Sequence, residues 1–204
     1  EVFNDSNITT ITLPSSITKI YPRAFSDCKN LNKFYSHLAT EDGRCLIVNG
    51  VLLAFAPFGI QEYSIHPTVT SIANETFANY ENLTKIIIPS SVKSIGYKTF
   101  ANCYNLEYIS IPISVNSIDG CAFLGCRGTL FMDSNLVGSN YTAPESSNAQ
   151  KHWLYGSDFS HIIIGPSVTH IGDYAFGTDR NINAHFNIGC NVEDIGCSAF
   201  YNCG

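Results

Sequence analysis

Apolar residues recur along this chain in one phrase, Leu-x-x-Ile-x-Ile-Pro-x-x-Val-x-x-Ile-Gly-x-x-x-Phe-x-Asn-Cys, at a spacing of 23 residues. The clearest copy opens at Leu83 and holds Ile86, Ile88, Pro89, Val92, Ile95, Gly96, Phe100, Asn102 and Cys103. The next opens at Leu106 and holds Ile109, Ile111, Pro112, Val115, Ile118, Phe123 and Cys126. The Phe slot is filled by Phe25, Phe77, Phe100, Phe123, Phe176 and Phe200, and the Ile before it by Ile20, Ile72, Ile95, Ile118, Ile171 and Ile195. A fixed period of this size is the mark of a solenoid, in which one coil cannot bury its apolar side alone and stacked coils share a continuous core.

The register predicts one domain over 1–204, with regular coils at 8–30, 60–82, 83–105, 106–128, 159–181 and 182–204, the last needing one extra residue near Ile182 or Asn183. Segments 31–59 and 129–158 are longer and are expected to be inserted or modified coils. Within each coil, Ile-x-Ile puts two β-branched side chains on one face of a strand. Proline, which cannot donate to a ladder, then fits the strand end. Val-x-x-Ile reads as a second short extended piece. The stretch from Gly96 to Cys103 has room for one or two helical turns, with Phe100 as inward anchor. In the first long segment, Asn49-Gly50 between apolar runs is a hairpin signal. In the second, Leu130 and Met132 point inward.

Composition narrows the function classes. The 204 residues are 45% hydrophobic and 14% charged, with a formal net charge of −6. An acidic chain lacks the basic footprint that nucleic acid demands. No apolar run approaches the length of a membrane span. Both ends fall at coil boundaries and no leader is visible, so a piece of a longer protein is expected. Of eight cysteines, Cys28, Cys103, Cys126 and Cys203 share one slot, as a ladder of small buried side chains would. A bridge between slot cysteines on adjacent coils, such as Cys103 and Cys126, is the alternative.

These motifs resemble the BspA-like leucine-rich repeat family. The insert Asp42-Gly-Arg-Cys-Leu-Ile-Val-Asn-Gly-Val-Leu-Leu-Ala-Phe-Ala-Pro57 also looks like one carried by such proteins of gut and oral Bacteroidetes. The resemblance implies a right-handed leucine-rich repeat solenoid, β-rich, with short helical or 3-10 turns. It further implies a cell-surface or secreted protein that adheres to host matrix glycoproteins or to other bacterial surface proteins. The chain departs from the pattern at His66-Pro67 and Gly165-Pro166, where proline falls one slot late, and at Tyr80 and Asp179, which replace the slot cysteine.

Catalytic signatures are absent: there is no phosphate loop, no His-Glu-x-x-His and no Cys-x-x-Cys. No cofactor is expected, and a monomer is. Candidate binding residues come from variable positions of the repeat. His161 and His185 fall in the same outward slot on adjacent coils. They could hold a metal or make a pH-sensitive contact, but with no third ligand apparent the plainer reading is two solvated residues, and no metal is assigned. Tyr108 occupies the same slot, and Glu62 and Lys85 form an opposite-charge pair in it. The neighbouring outward slot holds apolar Ile87 and Ile163, which either mark a contact surface or pack under an insert. Trp153 and Tyr155 lie in the second long segment. Aromatics there could anchor a partner, or Trp153 could fold back onto the core. The sequence thus supports a non-catalytic interaction module. A carbohydrate-binding module using Tyr108, Trp153 and Tyr155, or a structural spacer, are the alternatives.

Overall fold

The computed structural model describes residues 3, 6–134, 152–177 and 183–203. In chain order its strands are β1 (Thr10–Thr12), β2 (Lys33–Tyr35), β3 (Cys45–Val48), β4 (Val51–Phe55), β5 (Glu62–Ser64), β6 (Ser71–Ile72), β7 (Lys85–Ile87), β8 (Ser94–Ile95), β9 (Tyr108–Ile111), β10 (Ser117–Ile118), β11 (Arg127–Met132), β12 (Asp158–Ile164), β13 (His170–Ile171), β14 (His185–Asn187) and β15 (Asp194–Ile195). The Ile-x-Ile segments form a six-stranded parallel sheet in the order β14-β12-β11-β9-β7-β5. The Val-x-x-Ile pieces form two shorter parallel ladders: β10-β8-β6, continued by hairpin strand β4 with β3 added antiparallel, and β13-β15. The register repeats as the sequence requires: Lys85 pairs with Tyr108 and Ile86 with Ile109, 23 residues on. His161 pairs with His185, 24 residues on, as the extra residue in the last coil demands. Of the two positions near which that residue falls, Ile182, like Asp179, lies outside the described residues, while Asn183 lies within them.

A third set of bonds runs along the corner that follows each short strand. Lys98, Phe100 and Asn102 donate to Gly120, Ala122 and Leu124 of the next coil, while Thr99, Ala101 and Cys103 close turns onto Gly96, Lys98 and Phe100. This corrects the helical expectation. Among the described residues there is no helix, because alternate N–H groups are spent between coils and none of this run is a helical ladder. Two corner residues per coil are also left-handed. Asp27, Asn79, Asn102, Gly125 and Asn202 fill one such slot, and Arg23, Glu75, Lys98, Cys121, Tyr174 and Ser198 fill the other.

Side chains reinforce the corner. Asn102 donates through Nδ2 to Asn79 Oδ1 at 2.8 Å, and Asn79 donates to Asp27. The slot thiols are free and buried or half-buried. Each donates to the carbonyl of a phenylalanine in an earlier coil: Cys103 to Phe77 at 3.1 Å, Cys126 to Phe100 at 3.0 Å, Cys203 to Phe176 at 3.5 Å. Burial pushes the Cys103 thiol up to about 12, so these groups stay protonated donors. Tyr80 does the same work with a longer reach, its hydroxyl meeting the Phe55 carbonyl at 3.3 Å. Where proline is one slot late, the carbonyls of His66 and Gly165 accept from Val69 and Val168 as Pro89 accepts from Val92, so the turn survives the change.

The phenylalanines stack into a column. Phe77–Phe100 and Phe100–Phe123 are parallel rings with centroids 5.4 and 5.6 Å apart, within the range of favourable aromatic pairs. Segment 31–59 contributes β2 to the stack beside β1, then the β3–β4 hairpin through left-handed Asn49 and Gly50. Its loop wedges against the strand edge: Phe34 N donates to Gly43 O at 2.8 Å, and Tyr63 of β5 donates its hydroxyl to Asp42 at 3.0 Å. Residues of the hairpin enter two different cores. Cys45, Leu52 and Phe55 join the large core that runs on through Ala199. Leu46 and Ala54 join a small one built on Phe25, Leu31 and Phe34.

Candidate functional site

The six-stranded sheet presents an outward face made of the variable positions. One row runs Glu62, Lys85, Tyr108, Thr129, His161, His185, and the next runs Ser64, Ile87, Ser110, Phe131, Ile163, Asn187. Alternation places these side chains outward because their neighbours Ile86, Ile109, Leu130 and Ile162 are fully buried. The face therefore gathers five of the seven candidates: Tyr108, Ile87, Ile163, His161 and His185. Ile87 is 49% exposed and Tyr108 41%. Ile163 is half-buried beside Phe131.

Phe131 and Thr129 belong to this face and were missed in the sequence. The signal was present, since Leu130 and Met132 inward forces 129 and 131 outward. Fixed charge on these two rows is sparse. Glu62 and Lys85 face each other at 3.7 Å, both largely exposed, and such a pair contributes little. The two histidine rings stand edge to face with centroids 5.8 Å apart.

Trp153 and Tyr155 are placed elsewhere, in the corner of segment 129–158, where Gly125 N donates to Gly156 O. The Trp153 ring meets Phe123 at 5.9 Å and Phe176 at 6.1 Å, both edge to face. It fills the break in the phenylalanine column left by a coil without a slot Phe. Beside it His152 is 4% exposed. Its Nδ1 accepts from Leu154 N at 3.2 Å, and burial, opposed by a hydrogen bond to the Ala175 backbone, holds its pKa down to about 4. The imidazole is thus neutral.

At one edge of the face lies an open groove of ≈ 400 Å³ lined by Gln61, Asn82, Thr84, Tyr104, Glu107 and Arg127 among others. Arg127 lies 5.9 Å from the Tyr104 ring centre. Among the described residues no group of three or more His, Cys, Asp or Glu is placed to enclose a metal ion. No helix among them is long and apolar enough to cross a membrane.

The profile of the BspA type leucine rich repeat region matches in six copies over residues 1–42, 53–130 and 127–204. The chain belongs to the BspA-type leucine-rich repeat family. Solved structures agree on the fold. A leucine-rich repeat protein from Eubacterium ventriosum superposes with a TM-score of 0.60 at 19% identity, covering 97% of this chain and 59% of that one. A leucine rich cell surface protein from Faecalibacterium prausnitzii superposes at 0.50 with 18% identity, covering 91% and 49%. The chain thus spans about half to three fifths of the length of these bacterial proteins. No curated protein matches it. Members of a family built this way spend their repeated residues on packing, which leaves the variable outward rows as the part of this BspA-type chain free to specialise.

Proposed function

We propose that this chain is a non-catalytic interaction module of a cell-surface or secreted protein, and that the outward face of its six-stranded sheet docks protein or glycoprotein partners. The observation that carries the reading is the exposed apolar side chain of Ile87 beside Tyr108, continued along the stack by Phe131 and Ile163. Isolated apolar residues on a surface need no explanation, but exposed Ile87 and Tyr108 on one sheet face with half-buried Phe131 and Ile163 beyond Ser110 make up an apolar share of this face that suits a contact patch. Tyr108 and Phe131 supply rigid aromatic area of the kind that dominates interface energetics. Host matrix proteins and other bacterial surface proteins are the partner classes to test first.

The groove at Tyr104 favours one second reading. Amides, a carboxylate and a guanidinium beside an exposed aromatic ring are groups suited to a glycan, so the same edge could read the sugar of a glycoprotein. Biolayer interferometry against matrix glycoproteins, intact and enzymatically deglycosylated, separates the two. Saturable binding that survives deglycosylation and falls at least tenfold in Ile87→Ser or Tyr108→Ala supports the protein-docking face. Binding lost with the glycans, and weakened by Tyr104→Ala, transfers the function to the groove. Binding to none of them overturns both readings for these partners and leaves a spacer role.

A further inference from the structure

We infer that His161 and His185 form a two-imidazole site for a divalent first-row transition-metal ion such as Ni²⁺ or Zn²⁺. The two residues are direct register partners on adjacent parallel strands, and both are exposed. With metal–nitrogen bonds of about 2.0–2.1 Å and a ring about 1.1 Å in radius, each imidazole centre sits about 3.2 Å from a bound metal. Two such rings at a tetrahedral angle then have centres about 5.2 Å apart. The observed separation is 5.8 Å, so small rotations of two solvent-facing rings bring their nitrogens onto one ion.

Hydrogen bonding also sets the tautomer of one ligand. Ser160 Oγ donates to Gly128 O at 2.9 Å, and the same Oγ lies 3.0 Å from His161 Nδ1. A hydroxyl carries one proton, and here the carbonyl takes it, since a carbonyl can only accept. The tautomer that satisfies both contacts at once has Nδ1–H donating to Ser160, which leaves Nε2 unprotonated and open to a ligand. A second group that fixes the tautomer and aim of a histidine ligand is the usual companion of metal-binding imidazole. His170 shows the contrast: its Nδ1 is paired with the Asp194 carboxylate. His66 is tied to Thr68 through Nδ1 on its own turn.

Two ligands leave the rest of the coordination shell to water or to a donor on another molecule. The imidazole set suits Ni²⁺ and Zn²⁺, whereas oxygen-seeking Mg²⁺ and Ca²⁺ would want carboxylates, and among the described residues no acidic group joins the pair. The site does not depend on the face being a docking surface, and its test uses the metal alone.

The exposed thiols Cys190 and Cys197 would compete for metal, so the titration is made on a Cys190→Ser/Cys197→Ser background. Calorimetry with Ni²⁺ and with Zn²⁺ is expected to show one saturable site. His161→Ala and His185→Ala should each abolish it, Ser160→Ala should weaken it about 10-fold, and His66→Ala should leave it unchanged. Should the serine background fail to fold, the unaltered chain can be read by NMR, where substoichiometric Ni²⁺ is expected to broaden the ring protons of His161 and His185 first. Heats no larger than dilution, binding that survives both single histidine variants, or broadening spread equally over all histidines would each overturn the assignment.

Discussion

At the scale of the residue, the corner slots carry most of what is specific to this chain. Asn102 is left-handed at φ 61° and donates through its side chain to Asn79. Alanine there would meet both the left-handed penalty and the loss of a ladder hydrogen bond. We expect Asn102→Ala to cost about 1–2 kcal/mol, read as a lower melting temperature, and Asn102→Gly to cost less. His152 gives a prediction in pH. Its folded value is about 4 against the ordinary 6.5, so below 6.5 the unfolded chain binds a proton that the folded chain refuses until about 4. Stability from this group is therefore complete above pH 6.5 and lost as pH falls towards 4, by about 3 kcal/mol over the window. Urea melts at pH 7 and pH 4.5 should differ more in the wild type than in His152→Gln.

At the scale of the element, Trp153 decides whether segment 129–158 is an excursion or part of the stack. Its ring bridges Phe123 and Phe176, so truncation opens the aromatic column. Trp153→Ala should cost up to about 3 kcal/mol, the low end for a core aromatic because the side chain is half-buried, and Trp153→Phe much less. A variant that melts like the wild type would return Trp153 to the list of surface anchors. The regular coils were legible because each slot repeats one packing demand, and six fillings of the Phe slot leave little choice of fold. The corner was misjudged as helical because its bonding alternates between coils, a feature no composition records. Arg23, Glu75, Lys98 and Tyr174 are left-handed without being the Gly or Asn that would announce it. The site was half legible: periodicity aligned His161 with His185 and Ile87 with Ile163, but Phe131 hid in a coil lacking the proline and phenylalanine that set the register elsewhere.

At the scale of the whole molecule, the proposed function rests on the positions the stack leaves outward. Inward positions are committed to the column, the thiol ladder and the aliphatic core, so substitutions there change stability. Exposed outward positions carry little packing, so on the proposed docking reading substitutions at Ile87 or Tyr108 should change binding with little change in melting temperature. That separation also makes the chain tolerant of ligand change: the two rows can be rewritten without touching a slot that holds the coils together.

The β3–β4 hairpin has one more consequence. Because its side chains serve two cores, we expect it to act thermodynamically as a firebreak. Loosening of the first coils removes packing from Phe25, Leu31 and Phe34 while the hairpin still seals Phe55 and everything beyond it. Subglobal opening of this kind is visible to hydrogen exchange. In mild denaturant the amides of Ile11 and Phe34 should exchange as one group, well before those of Ile86 and Ile109, and Leu46→Ala should widen the gap by weakening the small core alone. A single exchange rate for all four amides would mean that the chain melts as one unit, with the hairpin transmitting disorder where it is here expected to halt it.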